Sequence, residues 1–212
     1  MKPYLILLVG VLSVSFAAIF IRLADAPPLV IAAYRLSIAS VILIPITSVK
    51  SIKGLKKLSR NDVFLIPLSS IFIALHFGLW ITSLSYTSIA SSVVLVTSHP
   101  AFVAVISYFL WGERLNKLTI SGIVVAMFGV IFINYGGFTS ASRTFEGDLL
   151  ALMAGFSMGA YLLIGGQLRK RIDILPYLTI IYTCSAVILM IVTLLLGYSL
   201  TGYSTNTYIM LV

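Results

Sequence analysis

Seven long apolar runs constrain the fold of this 212-residue chain more than any other feature. They cover approximately residues 4–21, 28–49, 64–84, 88–111, 118–135, 149–167 and 175–196. A helix needs about 20 mainly apolar residues to cross a bilayer, and these runs lack the alternation of barrel strands. With 60% hydrophobic and 9% charged residues, the chain has too little polar surface for a soluble domain. The sequence therefore predicts an all-α integral membrane protein with seven transmembrane helices.

Both ends of the chain need a separate interpretation. Residues 208–212 are apolar but too few to span a bilayer, which predicts the start of an eighth helix that has been cut. At the other end, Lys2 and the stretch Ser15-Phe-Ala-Ala18 fit a cleaved signal peptide. The apolar run continues to Ile21 and six more follow, so an uncleaved first helix is favoured.

Basic residues collect on one side of the predicted helices. Eleven of the 14 Lys and Arg residues lie there: Lys2, Lys50, Lys53, Lys56, Lys57, Arg60, Arg114, Lys117, Arg169, Lys170 and Arg171. The positive-inside rule then predicts a cytoplasmic N-terminus. We expect a multi-pass protein of the cell (plasma) membrane. The net charge of +8 is explained by this topology, because the basic loops lack the interleaved aromatics of a nucleic-acid site.

Two stretches 148 residues apart share one pattern, an Asp-containing turn that leads through Pro into an apolar helix. The matching pairs are Asp25/Asp173, Pro28/Pro176, Tyr34/Tyr182 and Ser37/Ser185. The charge rule places the two turns on opposite sides of the membrane, as an inverted repeat of five helices requires. Inverted repeats place the substrate site at their interface near the bilayer midplane. We therefore expect a first repeat over residues 1–137 and an incomplete second repeat over residues 148–212, from a ten-helix 5+5 fold.

Three ionisable residues fall inside the apolar runs: Arg35, His76 and His99. At about 1.5 Å per residue, each lies within roughly 5 Å of the midplane, which favours one shared polar cavity. Arg35 would attract a carboxylate or another anionic group. The residues His76, Trp80, Ser92 and His99 would line the pocket.

Each of these residues also has a structural interpretation. A membrane histidine such as His76 or His99 often bonds a neighbouring hydroxyl or carbonyl as part of helix packing. Trp80 fits an interfacial aromatic belt. Arg35 could extend its charge to the surface or pair with Asp25.

The fourth run carries two candidate gating or structural residues. Pro100 cannot donate a hydrogen bond to Val96, so it should kink the helix and free a carbonyl near His99. Glu113 lies at the cytoplasmic mouth, where it could gate the site, cap the helix or pair with Arg114.

Sequence spacing also predicts helix packing. Small residues at Gly122, Ala126 and Gly129, and at Ala151, Gly155 and Gly159, would let backbones approach closely. Only residues 85–87 separate the third and fourth runs, which predicts a tight antiparallel hairpin with the two histidines facing inward.

The fourth run resembles the fourth helix of EamA-type transporters of the drug/metabolite transporter superfamily. The resemblance rests on SSVVLVTSHP at residues 91–100 and LWGER at residues 110–114, supported by LHFGLW at residues 75–80 and AYR at residues 33–35. It implies ten helices in two inverted repeats, both termini in the cytoplasm, and export or exchange of small metabolites. This chain departs from that pattern by lacking the last three helices.

The sequence predicts a secondary transporter that exports a small polar or amphipathic metabolite by alternating access, with the bilayer and that metabolite as partners. It contains no phosphate-binding G-x-x-x-x-G-K-[ST] loop and no H-E-x-x-H or paired-cysteine metal motif, so we expect neither a cofactor, a metal nor enzymatic activity. Two other classes stay open: a membrane enzyme that uses a histidine as general base on a lipid-linked substrate, and a non-transporting assembly subunit. A homodimer could supply a missing half of the site in trans.

Overall fold

In the computed structural model, regular secondary structure is α-helical throughout the described residues, 2–47, 58–112, 115–134 and 142–211. The helices are α1 (Lys2–Leu23), α2 (Pro28–Ile46), α3 (Arg60–Ser83), α4 (Ile89–Val96), α5 (His99–Trp111), α6 (Lys117–Asn134), α7 (Ser142–Leu168), α8 (Ile174–Leu195) and α9 (Thr205–Leu211). The expected all-α class is thereby confirmed, and residues 208–211 of the last apolar stretch lie in a helix, α9.

Among the described residues, five segments are long and apolar enough to cross a membrane: Pro28–Ile46, Asp62–Ser83, Ile89–Leu110, Thr144–Leu168 and Ile174–Leu195. Their large outward side chains include Phe64, Phe109 and Leu195, which are 77%, 78% and 80% exposed. Lipid tails solvate such side chains, whereas water does not. The protein is therefore a multi-pass helical membrane protein. The count of seven spans stays a prediction, since the apolar part of α1 within the described residues, Leu8–Leu23, is shorter than these five.

Helices α2 and α8 begin where their prolines predict. Pro28 is the first residue of α2, and Pro176 lies in the first turn of α8. Proline fits these positions because the N–H groups of a first turn have no partner within the helix.

The same two helices pack against each other in antiparallel orientation. Thr47, just after the end of α2, has its hydroxyl oxygen 2.6 Å from that of Thr179 in the early part of α8. At the opposite end, the hydroxyl of Tyr34 donates to the carbonyl of Leu200, which follows α8, over 2.7 Å. The two stretches that share the sequence pattern are thus neighbours that run in opposite directions.

Helix α7 is the central packing element and is longer than the sequence predicted. It begins at Ser142 rather than near residue 149, and it packs along α3 as well as along α4 and α5. Helices α3 and α4 have little contact with each other, whereas both pack on α7. The expected tight hairpin is therefore wrong, because a short connection fixes where two helices meet but not what packs along their length.

Small residues explain the close approach to α7. A Cβ built on Gly155 would lie 3.1 Å from the carbonyl oxygen of Val96, and one on Gly159 would lie 3.4 Å from that of His99. The predicted small-residue row of α7 is thus a packing face. The row on α6 is not one within the described residues, since a Cβ at Gly122 or Gly129 meets nothing within 4 Å.

Candidate functional site

Arg35 lies on the wall of a cavity between α1, α2 and α9. The cavity has a volume of about 660 Å³, and α1 contributes most of its wall through residues at helical spacing from Val9 to Phe20. Ile209 and Met210 of α9 close another side. The Nε atom of Arg35 is buried and has no hydrogen-bond partner among the described residues. Arg35 also forms none of the ion pairs described, so the alternative pairing with Asp25 is absent there.

His76 and Trp80 lie in the protein interior, where α3 packs on α7. Nδ1 of His76 is 3.0 Å from the carbonyl oxygen of Ala154. Because a carbonyl only accepts, Nδ1 carries the proton, and Nε2 of a neutral ring is an acceptor. The His76 ring stacks on Trp80 at 6.0 Å between centroids, with an interplanar angle of 21°.

Trp80 is 6% exposed, so its side chain does not belong to an interfacial belt. Its indole Nε1 is buried without a partner among the described residues. A buried, unpaired donor costs free energy unless a ligand or water pairs with it. Trp80 is therefore the second donor of this kind, after Arg35, among the candidate residues.

His99 lies at a break in the helical run where the proline is. Helix α4 ends at Val96, Thr97 and Ser98 form a turn, and α5 begins at His99 with Pro100 in its first turn. Nδ1 of His99 is 3.3 Å from the carbonyl oxygen of Val96, which is the carbonyl that the proline was expected to free.

Ser92 is fully buried, and its hydroxyl oxygen is 2.6 Å from that of Ser83. Ser83 in turn donates to the carbonyl of Trp80 over 2.7 Å. In this conformation Ser92 thus joins α4 to the end of α3. Glu113, the other candidate at the helix end, lies outside the described residues.

The structure separates the candidates into two groups. Arg35 is on the wall of the α1–α2–α9 cavity, whereas His76, Trp80, Ser92 and His99 are absent from that wall. We expected all five residues to line one cavity, but the described lining of this cavity includes only Arg35 among them. Both groups border the same buried cluster, to which Leu36 and Trp80 belong.

A polar cluster at the start of α7 was not predicted from the sequence. Asp148 accepts hydrogen bonds from the hydroxyls of Thr87 and Ser91, over 2.7 and 2.6 Å. A guanidinium nitrogen of Arg22 donates to the carbonyl of Thr87 over 3.0 Å. Asp148 therefore ties the start of α7 to the turn after α3 and to α4. The sequence around Asp148 could not predict this contact, because the partner residues lie about 60 positions away in the chain.

A second tie, Asp62 with Arg171, joins the start of α3 to the turn between α7 and α8. Ser59 and Asp62 form a capping box at the start of α3. This Ser-x-x-Asp spacing is a helix-start signal that places the boundary four residues before Phe64, where the apolar run begins.

Metal binding has no support in the described part of the chain. No group of three His, Cys, Asp or Glu residues there could hold a metal ion.

Comparison with protein families gives a match to the EamA-like transporter family over residues 1–135. The chain is 28% identical over 151 residues to the uncharacterized transporter YetK of Bacillus subtilis, covering 69% of this chain and 46% of that protein. It is 29% identical over 175 residues to an uncharacterized transporter of Clostridium kluyveri, covering 78% and 53%. The chain thus spans about half the length of these curated relatives.

A solved crystal structure also shares the fold. It covers 94% of this chain and 73% of its own, with a TM-score of 0.61 and 15% sequence identity. At that identity the likeness supports the arrangement of helices only.

Proposed function

The chain belongs to the EamA-like transporter family, and on that basis we propose that it carries a small polar or amphipathic metabolite across the cell membrane as part of a secondary exporter. Multi-pass helices and relatives named as transporters support a membrane transporter in general. The substrate class, the outward direction and alternating access are the proposed steps. Because the chain covers about half of those relatives, they are proposed for the whole transporter.

One observation carries the proposal: Arg35 is a permanently charged group within a span, on a cavity wall, with a buried Nε that has no described partner. Charges within a membrane are costly, and they usually mark a substrate or ion pathway. A cavity of about 660 Å³ is within the size range of small-molecule sites. An anionic substrate in the cavity would have the charge of Arg35 as its counter-charge.

Two further features support alternating access between inverted repeats. Helices α2 and α8 carry the same sequence pattern and pack antiparallel. The span formed by α4 and α5 is interrupted at Thr97 and Ser98, as in the discontinuous helices at transporter substrate sites. We propose residues 1–137 and 148–212 as the two repeat units, with His76, Trp80, Ser92, His99 and Pro100 between them and Glu113 at the mouth.

We place the N-terminus and the turn between α7 and α8 in the cytoplasm. The basic residues Arg169, Lys170 and Arg171 of that turn motivate this orientation. In intact cells, a membrane-impermeant thiol reagent should modify Thr201→Cys and spare Lys170→Cys, with Cys184→Ser as background. Both positions are exposed in the structure and lie at opposite ends of α8. Modification of Lys170→Cys but not of Thr201→Cys would show that the protein has the opposite orientation in the membrane.

Counterflow in proteoliposomes tests the function. Vesicles preloaded with one unlabelled carboxylate, amine, amino acid or sugar are diluted into the same labelled compound. We expect transient accumulation of label for at least one compound and none in protein-free vesicles, because a transporter exchanges its substrate without an energy source. No exchange for any compound, together with turnover of a lipid-linked substrate, would replace the proposal with the membrane-enzyme alternative.

A further inference from the structure

The cavity at Arg35 has a one-sided chemistry. Among the described residues, its wall contains one cationic side chain and no carboxylate, and the remaining lining is Ser13 and apolar or aromatic residues. A guanidinium holds a carboxylate through two parallel hydrogen bonds. An ammonium group in the same space would find no anion and would lose its hydration.

The hydroxyl of Ser13 does not add a free hydrogen-bond donor to the described cavity wall. This hydroxyl donates to the carbonyl of Val9, one turn earlier in α1, over 2.8 Å. Arg35 is therefore the cationic side chain that the described lining offers to a ligand.

The part of the cavity wall that α1 provides is partly aromatic. Phe16 and Phe20 stand one turn apart on α1, with ring centroids 6.3 Å apart and an interplanar angle of 25°. Both rings line the cavity, and Ile209 adds an aliphatic surface from α9. Such walls favour a flat or branched apolar body, because aromatic rings gain energy from stacked and edge contacts in addition to burial.

We infer that this cavity binds a small organic monocarboxylate with an apolar body and no ammonium group, its carboxylate on Arg35 and its body against Phe16 and Phe20. The inference rests on the proposed transport function and narrows its substrate class. It excludes zwitterionic amino acids as preferred ligands. The carboxylate could come from a water-soluble acid or from a fatty acid in the bilayer, since the recognised chemistry is the same.

Equilibrium binding of labelled 3-phenylpropanoate to the protein in nanodiscs tests this class, with empty nanodiscs as background. Phenylalanine adds only an ammonium group, and we expect it to compete at least about tenfold more weakly than unlabelled 3-phenylpropanoate. Phenethylamine, which has no carboxylate, should not compete. Arg35→Gln should weaken binding by about tenfold or more, while Arg60→Gln, a matched loss of an exposed arginine at the start of α3, should leave it unchanged.

Repeating the binding measurement in nanodiscs that contain palmitate distinguishes a fatty acid of the bilayer from a water-soluble acid as the ligand. Displacement of the label would support a membrane fatty acid as ligand, and retention would support a water-soluble acid. Equal or tighter binding of phenylalanine, or unchanged binding by Arg35→Gln in protein that elutes as one folded species, would overturn the inference. If a different compound showed counterflow in that case, the proposed transport function would be retained and only the monocarboxylate class would be rejected.

Discussion

Gly147→Ala is expected to lower the free energy of unfolding by about 2–3 kcal/mol, although alanine is the better helix former by about 1 kcal/mol. A Cβ at Gly147 would lie 2.7 Å from the backbone nitrogen of Thr87 and 2.8 Å from its Cβ. Backbone cannot move away cheaply, so α7 must shift. That shift would also stretch the hydrogen bonds from Thr87 and Ser91 to Asp148.

Gly166→Ala is the matched control, because Gly166 lies on the same helix and its Cβ would meet nothing within 4 Å. This variant should be as stable as the parent protein or slightly more so. Unfolding by sodium dodecyl sulfate in mixed micelles, followed by circular dichroism, measures both variants. Equal stability of the two alanine variants would show that α7 does not approach the turn after α3 as closely as described.

Most of the fold that could be predicted from the sequence was predicted from the positions of prolines and from the lengths of the apolar runs. Pro28 and Pro176 fixed two helix starts, and Pro100 indicated the break before His99 because its missing N–H is a local property of the chain. The start of α7 was missed, since Glu146 and Asp148 lower the hydropathy where the helix has already begun.

Lateral packing could not be predicted in the same way. Loop length suggested that α3 and α4 lie side by side, whereas α7 packs along both. The position of Arg35 within an apolar helix could be predicted from the sequence, but part of its cavity wall comes from Ile209, more than 170 positions later. Contacts between residues so far apart depend on the whole fold, and a single sequence does not specify them locally.

Arg35→Gln is expected to reduce transport by about 10- to 150-fold without unfolding the protein. The side chain makes none of the described ion pairs or hydrogen bonds with the protein, so removing its charge breaks no described contact. Loss of a charge-assisted hydrogen bond to the substrate costs about 1.5–3 kcal/mol, and each 1.4 kcal/mol is a factor of ten. Arg35→Lys should keep part of the activity, since it retains the charge but not the planar fork.

Counterflow of the best-exchanged compound, compared between Arg35→Gln, Arg60→Gln and the parent protein at equal reconstitution, tests the central claim most directly. We predict loss of exchange in Arg35→Gln alone, with Arg60→Gln at the parent level and Arg35→Lys in between. Exchange by Arg35→Gln at the parent rate would contradict the account, because the intramembrane charge on the α1–α2–α9 cavity would then have no part in carrying the substrate.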